Sequence, residues 1–333
     1  MNENRVEIIA LDSLKIGYAA GKHTKAILPP LSASSLGGEL IAVIGRNGIG
    51  KSTLLRTITG LQSSIAGTVL LNGKSTLEYP RLELARRIGY ISTEVVKVSN
   101  MRVVDLVALG RFPHTNWLGR IDHPGRLAIE NSIARTGLTA LRNRHISELS
   151  DGERQKAMIA RVLAQDTELM IMDEPTAFLD IASKYEIVKL MIELTRDRKT
   201  IIFSTHDFNI AVNQADKIWL ILENKLIEGA PEDLMLSGAF EHLFNSTIVR
   251  FNSGEGSFSF LNDSRGNIFI QGEGILRRWT EKAVSRAGYL VSDSKTNPYI
   301  QIPSLANKEW LLIEDSTTAG FGSVYDLVRR LQK

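Results

Sequence analysis

None of the 333 residues is cysteine. That excludes disulfides, thiolate zinc sites and iron–sulfur ligation, and it agrees with a reducing compartment without requiring one. Long hydrophobic runs are missing as well: no apolar stretch approaches the roughly eighteen residues needed to cross a bilayer. The start, Met1-Asn2-Glu3-Asn4-Arg5, has neither the basic nor the apolar region of a signal peptide. Nor is one sign of charge in excess. Forty Lys and Arg against 37 Asp and Glu leave a formal net charge of +3, too balanced to funnel nucleic acid, so no polynucleotide partner is expected. There is no internal repeat, low-complexity tract or heptad array. These absences predict a cytoplasmic chain, and 43% hydrophobic residues suffice for one large α/β core and a second, smaller one.

What is present divides by texture. Residues 1–240 alternate β-branched runs with helix-forming stretches, the pattern of a mostly parallel sheet covered on both faces. The strand candidates are Ile41–Ile44, Val69–Leu71, Ile88–Ile91, Leu169–Met172, Ile201–Ser204 and Ile218–Leu222. Between about residues 100 and 165 good helix formers dominate, which predicts a helical subdomain inserted into the core. Residues 241–333 turn to Gly- and Ser-punctuated alternation, with a helix carrying Ile275, Leu276, Trp279 and Ala283 and a last one carrying Val324, Leu327, Val328 and Leu331. This predicts a separate α+β accessory domain that regulates or stabilises.

Gly45-Arg46-Asn47-Gly48-Ile49-Gly50-Lys51-Ser52 fits G-x-x-x-x-G-K-[ST] between an apolar run and a helical one. In that context the pattern is a phosphate loop. Glycines at 45, 48 and 50 let successive N–H groups, with that of Asn47, curl around phosphates, and the helix opening at Lys51-Ser52-Thr53 adds its positive end. Lys51 supplies a full charge; the Ser52 hydroxyl is placed for Mg²⁺. Further on, Leu169-Met170-Ile171-Met172-Asp173-Glu174 ends a buried strand in two adjacent carboxylates, at the sheet edge where α/β folds bind ligands. Asp173 would hold Mg²⁺ and Glu174 would polarise an attacking water. Leu149-Ser150-Asp151-Gly152-Glu153 precedes a helix, and Ser150 with Glu153 has the spacing of a capping box.

Taken together and in this order, these segments resemble the ATP-binding cassette family, with Ser150 and Gly152 in the position of its signature. The resemblance implies the family's fold: a P-loop NTPase cassette with a mostly parallel core, an antiparallel β subdomain and a helical subdomain. It also implies ATP and Mg²⁺ as ligands. On its motifs, Tyr18 matches the aromatic that stacks on adenine, Asp180 the loop after the catalytic carboxylate, and His206, in Ser204-Thr205-His206-Asp207, the γ-phosphate histidine. Two departures stand out. The signature carries Asp151 where the family usually has glycine and Glu153 where it often has glutamine. The loop after Ile88–Ile91, where the resemblance implies a glutamine that senses Mg²⁺ and water, has Thr93 at that position, with Glu94 as the substitute Mg²⁺ ligand if the loop shifts by one.

The family's fold keeps the phosphate loop and the signature of one chain apart, so for a chain with a single phosphate loop the resemblance implies a head-to-tail pair, either a homodimer or a partnership with another cassette. Asp105–His114, Leu163–Asp166 and Thr176–Ala182 are similar to segments of cassettes that energise iron–siderophore, haem and cobalamin importers. That similarity implies integral-membrane permease partners, a substrate-binding protein upstream and a peripheral place on the cytoplasmic face of the inner membrane. Two other readings stand beside it: a cassette ATPase serving DNA repair or translation, and a non-hydrolysing regulatory module. One cassette without coiled coils favours transport, and Glu174 with His206 favours hydrolysis.

Overall fold

The computed structural model describes residues 6–20, 23–93, 100–115, 118–243, 249–252, 256–260, 264–304 and 308–332. The chain divides into two compact units, Met1–Asn245 with Ser253–Gly256 and Ser246–Asn252 with Ser257–Lys333.

The first unit is built on a six-stranded sheet in the order Leu226–Gly229, Lys217–Ile221, Leu40–Gly45, Thr200–Ser204, Leu169–Met172, Ile88–Ile91. All neighbours are parallel except the first pair, a hairpin. Every residue of the strands Leu40–Gly45, Leu169–Met172 and Thr200–Ser204 is buried, which is why they read as unbroken apolar runs rather than alternation. A second, antiparallel sheet, Leu31–Leu36, Glu7–Lys15, Ala66–Leu71 and Lys74–Ser75, turns one face inward. Its Ile9, Leu11 and Leu14 join Val43, Leu54, Leu55 and Trp219 in one core.

Three helices, Val103–Leu109, His123–Arg135 and Asp151–Ala164, make the helical part. Gly110 ends the first where it passes the third, and a Cβ there would collide with the Arg161 carbonyl. Gly89 likewise admits the Val162 side chain against its strand.

In the second unit a five-stranded mixed sheet runs Tyr289–Ser292, Gly266–Gln271, Tyr299–Gln301, Trp310–Glu314, Thr317–Phe321, and a separate hairpin pairs Val249–Asn252 with Ser257–Phe260. Ile268, Ile270, Ile300 and Leu312 pack with Val284 and Leu327 from the helices Gly274–Arg286 and Val324–Leu331. The first of these helices does not bury the apolar stripe expected of it. Ala283 and Ala287 lie against Val328, so small residues set a close helix–helix approach, while Ile275 and Trp279 stay 72% and 61% exposed. The strands Tyr289–Ser292 and Thr317–Phe321, absent from the sequence reading, occupy the two edges of this sheet.

Candidate functional site

Strand Leu40–Gly45 delivers the chain to the carboxyl edge of the core sheet, where it turns sharply. A Cβ on Gly45 would lie 2.9 Å from the Ile221 carbonyl oxygen, and Gly48 and Gly50 adopt φ values of +76° and +113° that side chains with a Cβ rarely reach. Gly50 precedes helix Lys51–Ile58 and offers no side-chain cap, so the first N–H groups of that helix stay directed at the loop. Lys51 is 5% exposed, and its ammonium donates to the carbonyls of Gly45 (2.9 Å) and Arg46 (3.3 Å). Burial pulls this ammonium below the usual lysine value; Glu174 and then Asp173 work against that fall by attraction.

Strand Leu169–Met172 brings the two carboxylates to the same edge. Asp173 is 2% exposed, its N–H donating to the Ile91 carbonyl at 2.8 Å and its carboxylate accepting from the Ser204 hydroxyl at 2.7 Å. Glu174 has a left-handed backbone, φ +51°, and its carboxylate lies 2.5 Å from Nε2 of His206. A cavity of about 580 Å³ collects Asn47, Gly48, Gly50, Lys51, Ser52 and Thr53 with Glu174 and His206. Tyr18 also lines it, 57% exposed and hydrogen-bonded through its hydroxyl to Thr53 Oγ1 at 3.2 Å.

Lys25 lines this cavity too, although no motif picks it out. It sits opposite Tyr18 in the hairpin of strands Gly17–Ala20 and His23–Ala26. The signal available was the pairing of two strands, which no linear pattern encodes. Ser52 and Asp173 are oxygen donors, and among the described residues no group of three or more His, Cys, Asp or Glu could hold a metal. That donor set fits Mg²⁺, which takes one or two protein oxygens and completes its shell from phosphate and water. Glu94 lies outside the described residues; Thr93 is half-buried just beyond strand Ile88–Ile91.

The signature segment forms the capping box its spacing predicts. Ser150 Oγ accepts from the Glu153 N–H at 3.3 Å, and the Glu153 carboxylate accepts from the Ser150 N–H at 2.8 Å, which holds that carboxyl below its ordinary value. Asp151 is ion-paired with Arg154 at 2.7 Å. Gly152 is buried, and a Cβ there would come 2.7 Å from Ser183 Oγ. Ser183 in turn donates its N–H and hydroxyl to Asp180 at 2.9 and 2.8 Å, so the signature and the Asp180 loop touch within one chain. The cavity lining includes none of Ser150, Gly152 and Asp180.

A second concavity, about 730 Å³, lies between the core and the helical part, with Leu61, Leu84, Leu109, Phe112, Pro113 and Met158 in its wall. Phe112 is 71% exposed. The segment beneath it is pinned to the end of the signature helix: Arg111 donates to the Ala164 carbonyl (2.9 Å), and a His114 ring nitrogen lies 2.9 Å from that of Gln165. His114 is thus engaged by backbone, in keeping with a structural histidine.

A parallel sheet with a glycine loop and buried lysine at one strand end, and an Asp-Glu pair at a neighbouring one, defines a phosphate-loop nucleotide-binding cassette. The model of the ABC transporter family matches residues 28–177, and that of the iron ABC transporter C-terminal domain matches residues 265–332. The ferric enterobactin transport ATP-binding protein FepC of Escherichia coli is 36% identical over 235 residues, 70% of this chain and 85% of that protein. The iron(3+)-hydroxamate import ATP-binding protein FhuC of Bacillus subtilis is 33% identical over 238 residues, 71% and 87% of the two chains. Among solved structures, CbiO1 of Clostridium perfringens, part of the ABC transporter complex CbiONQ, aligns with a TM-score of 0.61 at 27% identity, covering 71% of this chain and 93% of that one. The chain belongs to the ATP-binding cassette transporter family.

The capping box gives a pH-dependent prediction. A carboxyl whose folded-state pKa is depressed contributes stability above its unfolded pKa, about 4.3 for Glu, and loses it as pH falls through the lower folded value. Glu153→Gln is therefore less stable than wild type at neutral pH, and the gap narrows as pH drops below about 4. Urea melts of both proteins across that range check the sign.

Proposed function

We infer that the chain is the ATP-hydrolysing subunit of an importer for iron–siderophore complexes or a related chelate such as haem or cobalamin. It works as a head-to-tail pair on the cytoplasmic face of the membrane beneath separate permease subunits. The observation that carries the reading is the Glu174 carboxylate held 2.5 Å from His206 in the same cavity as the phosphate loop, in a chain whose Ser150 faces no part of that cavity. The relatives named for ferric enterobactin and iron(3+)-hydroxamate support the cargo class, as does the match of the tail to an iron-transporter domain. No helix among the described residues is long and apolar enough to cross a membrane, so in this reading the permeases supply the passage.

Glycine-loop N–H groups and Lys51 would bind the triphosphate, with Tyr18 against the adenine. Ser52 and Asp173 would hold Mg²⁺, which when bound neutralises phosphate charge. Glu174 accepts a proton from the attacking water, and His206, in contact with its carboxylate, orients it and meets the terminal phosphate. The second wall of each site is the partner's signature, Ser150 and Gly152, with Asp180 linking the two sites. Triphosphate binds the closed pair better than the open one, and hydrolysis removes that difference. The groove walled by Leu109, Phe112 and Pro113 is the surface offered to the permease. The cassette is assigned to residues 1–240, and the tail 241–333 acts as an accessory unit that regulates or stabilises.

Glu174→Gln should lower kcat for ATP by roughly 10²–10⁴-fold, the usual worth of a positioned general base, while ATP binding persists. Equal and negligible turnover in both proteins would instead favour a regulatory module. Mixing protomers carrying Lys51→Ala with protomers carrying Ser150→Arg regenerates one intact composite site per mixed pair. The mixture should capture nucleotide in a filter assay where neither variant alone does. Phe112→Ala should reduce recovery of the cassette with permease subunits from membranes, leaving its ATPase rate in the free state within about twofold, since surface substitutions away from a site change little.

A further inference from the structure

Ser204 ends the strand Thr200–Ser204 and is fully buried. That strand runs parallel to Leu169–Met172 with Phe203 beside Met172, so the next residues of each, Ser204 and Asp173, emerge side by side at the carboxyl edge. The Ser204 hydroxyl donates to Asp173 Oδ1 at 2.7 Å and accepts the Glu174 N–H at 2.9 Å. One short side chain therefore holds both carboxylate residues, one by its side chain and the other by its backbone. The second hold falls at a residue with φ +51°, a conformation that a residue with a Cβ adopts only where its surroundings impose it.

We propose that Ser204 is a positioning residue of the hydrolytic site: it fixes the carboxylate of Asp173 for Mg²⁺ and locks the Glu174 backbone in the conformation that presents its carboxylate beside His206. This rests on the reading of Asp173 and Glu174 given above. Mg²⁺ tolerates little departure from octahedral geometry, so a carboxylate free to rotate is a poorer donor. Groups that orient a metal ligand commonly carry 10–100-fold of metal affinity or activity. Removing the hydroxyl leaves a buried carboxylate oxygen without this donor and a partly buried N–H without this acceptor, and releases both residues at once.

The test uses the full chain as wild type, Ser204→Ala and Ser204→Thr, the last retaining the hydroxyl. Affinity for a fluorescent ATP analogue is measured in EDTA and in Mg²⁺, and ATPase rate is followed as Mg²⁺ is varied. Ser204→Ala should bind nucleotide in EDTA within about twofold of wild type, yet lose on the order of 10-fold of the affinity gained on adding Mg²⁺. It should also lose about 10–100-fold in kcat. Ser204→Thr should stay within a few fold of wild type. A Ser204→Ala protein with unchanged Mg²⁺ dependence and turnover would overturn the proposal, and so would equal losses in the alanine and threonine variants. If the alanine variant does not fold, Ser204→Cys, close in volume and a weak donor, should show the same losses, and its unchanged behaviour would overturn the idea equally. A wild type without turnover would strike at the hydrolysis reading alone, because the Mg²⁺-dependent affinity still decides the role of Ser204.

Discussion

The structure depends on holding charges of opposite sign together at one edge of one sheet. Lys51 is 5% exposed and Asp173 2%, while the Glu174 side chain, 25% exposed, lies against His206. Desolvation in such a place disfavours the charged form of an ammonium and lowers its pKa. Attraction to Glu174 and Asp173 works against that fall, and the carbonyls of Gly45 and Arg46 accept the ammonium's hydrogen bonds. Strand Thr200–Ser204 pairs with both neighbours and sets their register: Phe203 lies beside Met172 on one side and Ala42 on the other, so Asp173 emerges at the level of Val43 while strand Leu40–Gly45 runs on into the phosphate loop. The all-buried, parallel core is the frame that holds the charges at fixed separation.

A second constraint follows from the contacts that the cavity lacks. The signature start is tied to the Asp180 loop through Gly152, Ser183 and Asp180, and helix Asp151–Ala164 is further joined to helix Ile181–Arg196 by Lys156 and Glu186 at 2.7 Å. The signature segment is thus in contact, within one chain, with the residues that follow Glu174. At its far end the same signature helix is bonded to the Gly110–His114 segment beneath the apolar groove. One helix of fourteen residues therefore connects the surface proposed for a partner cassette to that proposed for a permease.

The phosphate loop, the Asp-Glu strand end and the capping box were legible because each is a contiguous stretch whose chemistry is stated by residue type and spacing alone. The core strands were legible for a related reason: burial on both faces leaves an apolar run that nothing else in a polar neighbourhood imitates. Ser204, Lys25 and the groove were not, since each is defined by a neighbour that only the folded chain sets beside it. Ser204 matters because of Asp173, 31 residues earlier, and Lys25 because a hairpin sets it opposite Tyr18. Helix Gly274–Arg286 divides the apolar residues that the sequence places on it: Ala283 is buried against Val328, whereas Ile275 and Trp279 are exposed.

The two carboxylates in the signature bear on whether Ser150 can serve a phosphate at all. Asp151 and Glu153 occupy the first turn of a helix whose positive end would otherwise attract an anion, and they compete for it. Asp151 is neutralised by Arg154, and Glu153 is turned back onto the Ser150 N–H, so neither charge stands unpaired in front of the helix. The Ser150 oxygen spends one lone pair accepting from the Glu153 N–H, but its own proton is committed to no partner in that box. A hydroxyl that accepts from its helix and donates outward can cap the helix and meet a γ-phosphate oxygen together. The capping role and the proposed catalytic-partner role therefore draw on different parts of the same hydroxyl, and the departure from glycine and glutamine at 151 and 153 leaves both available.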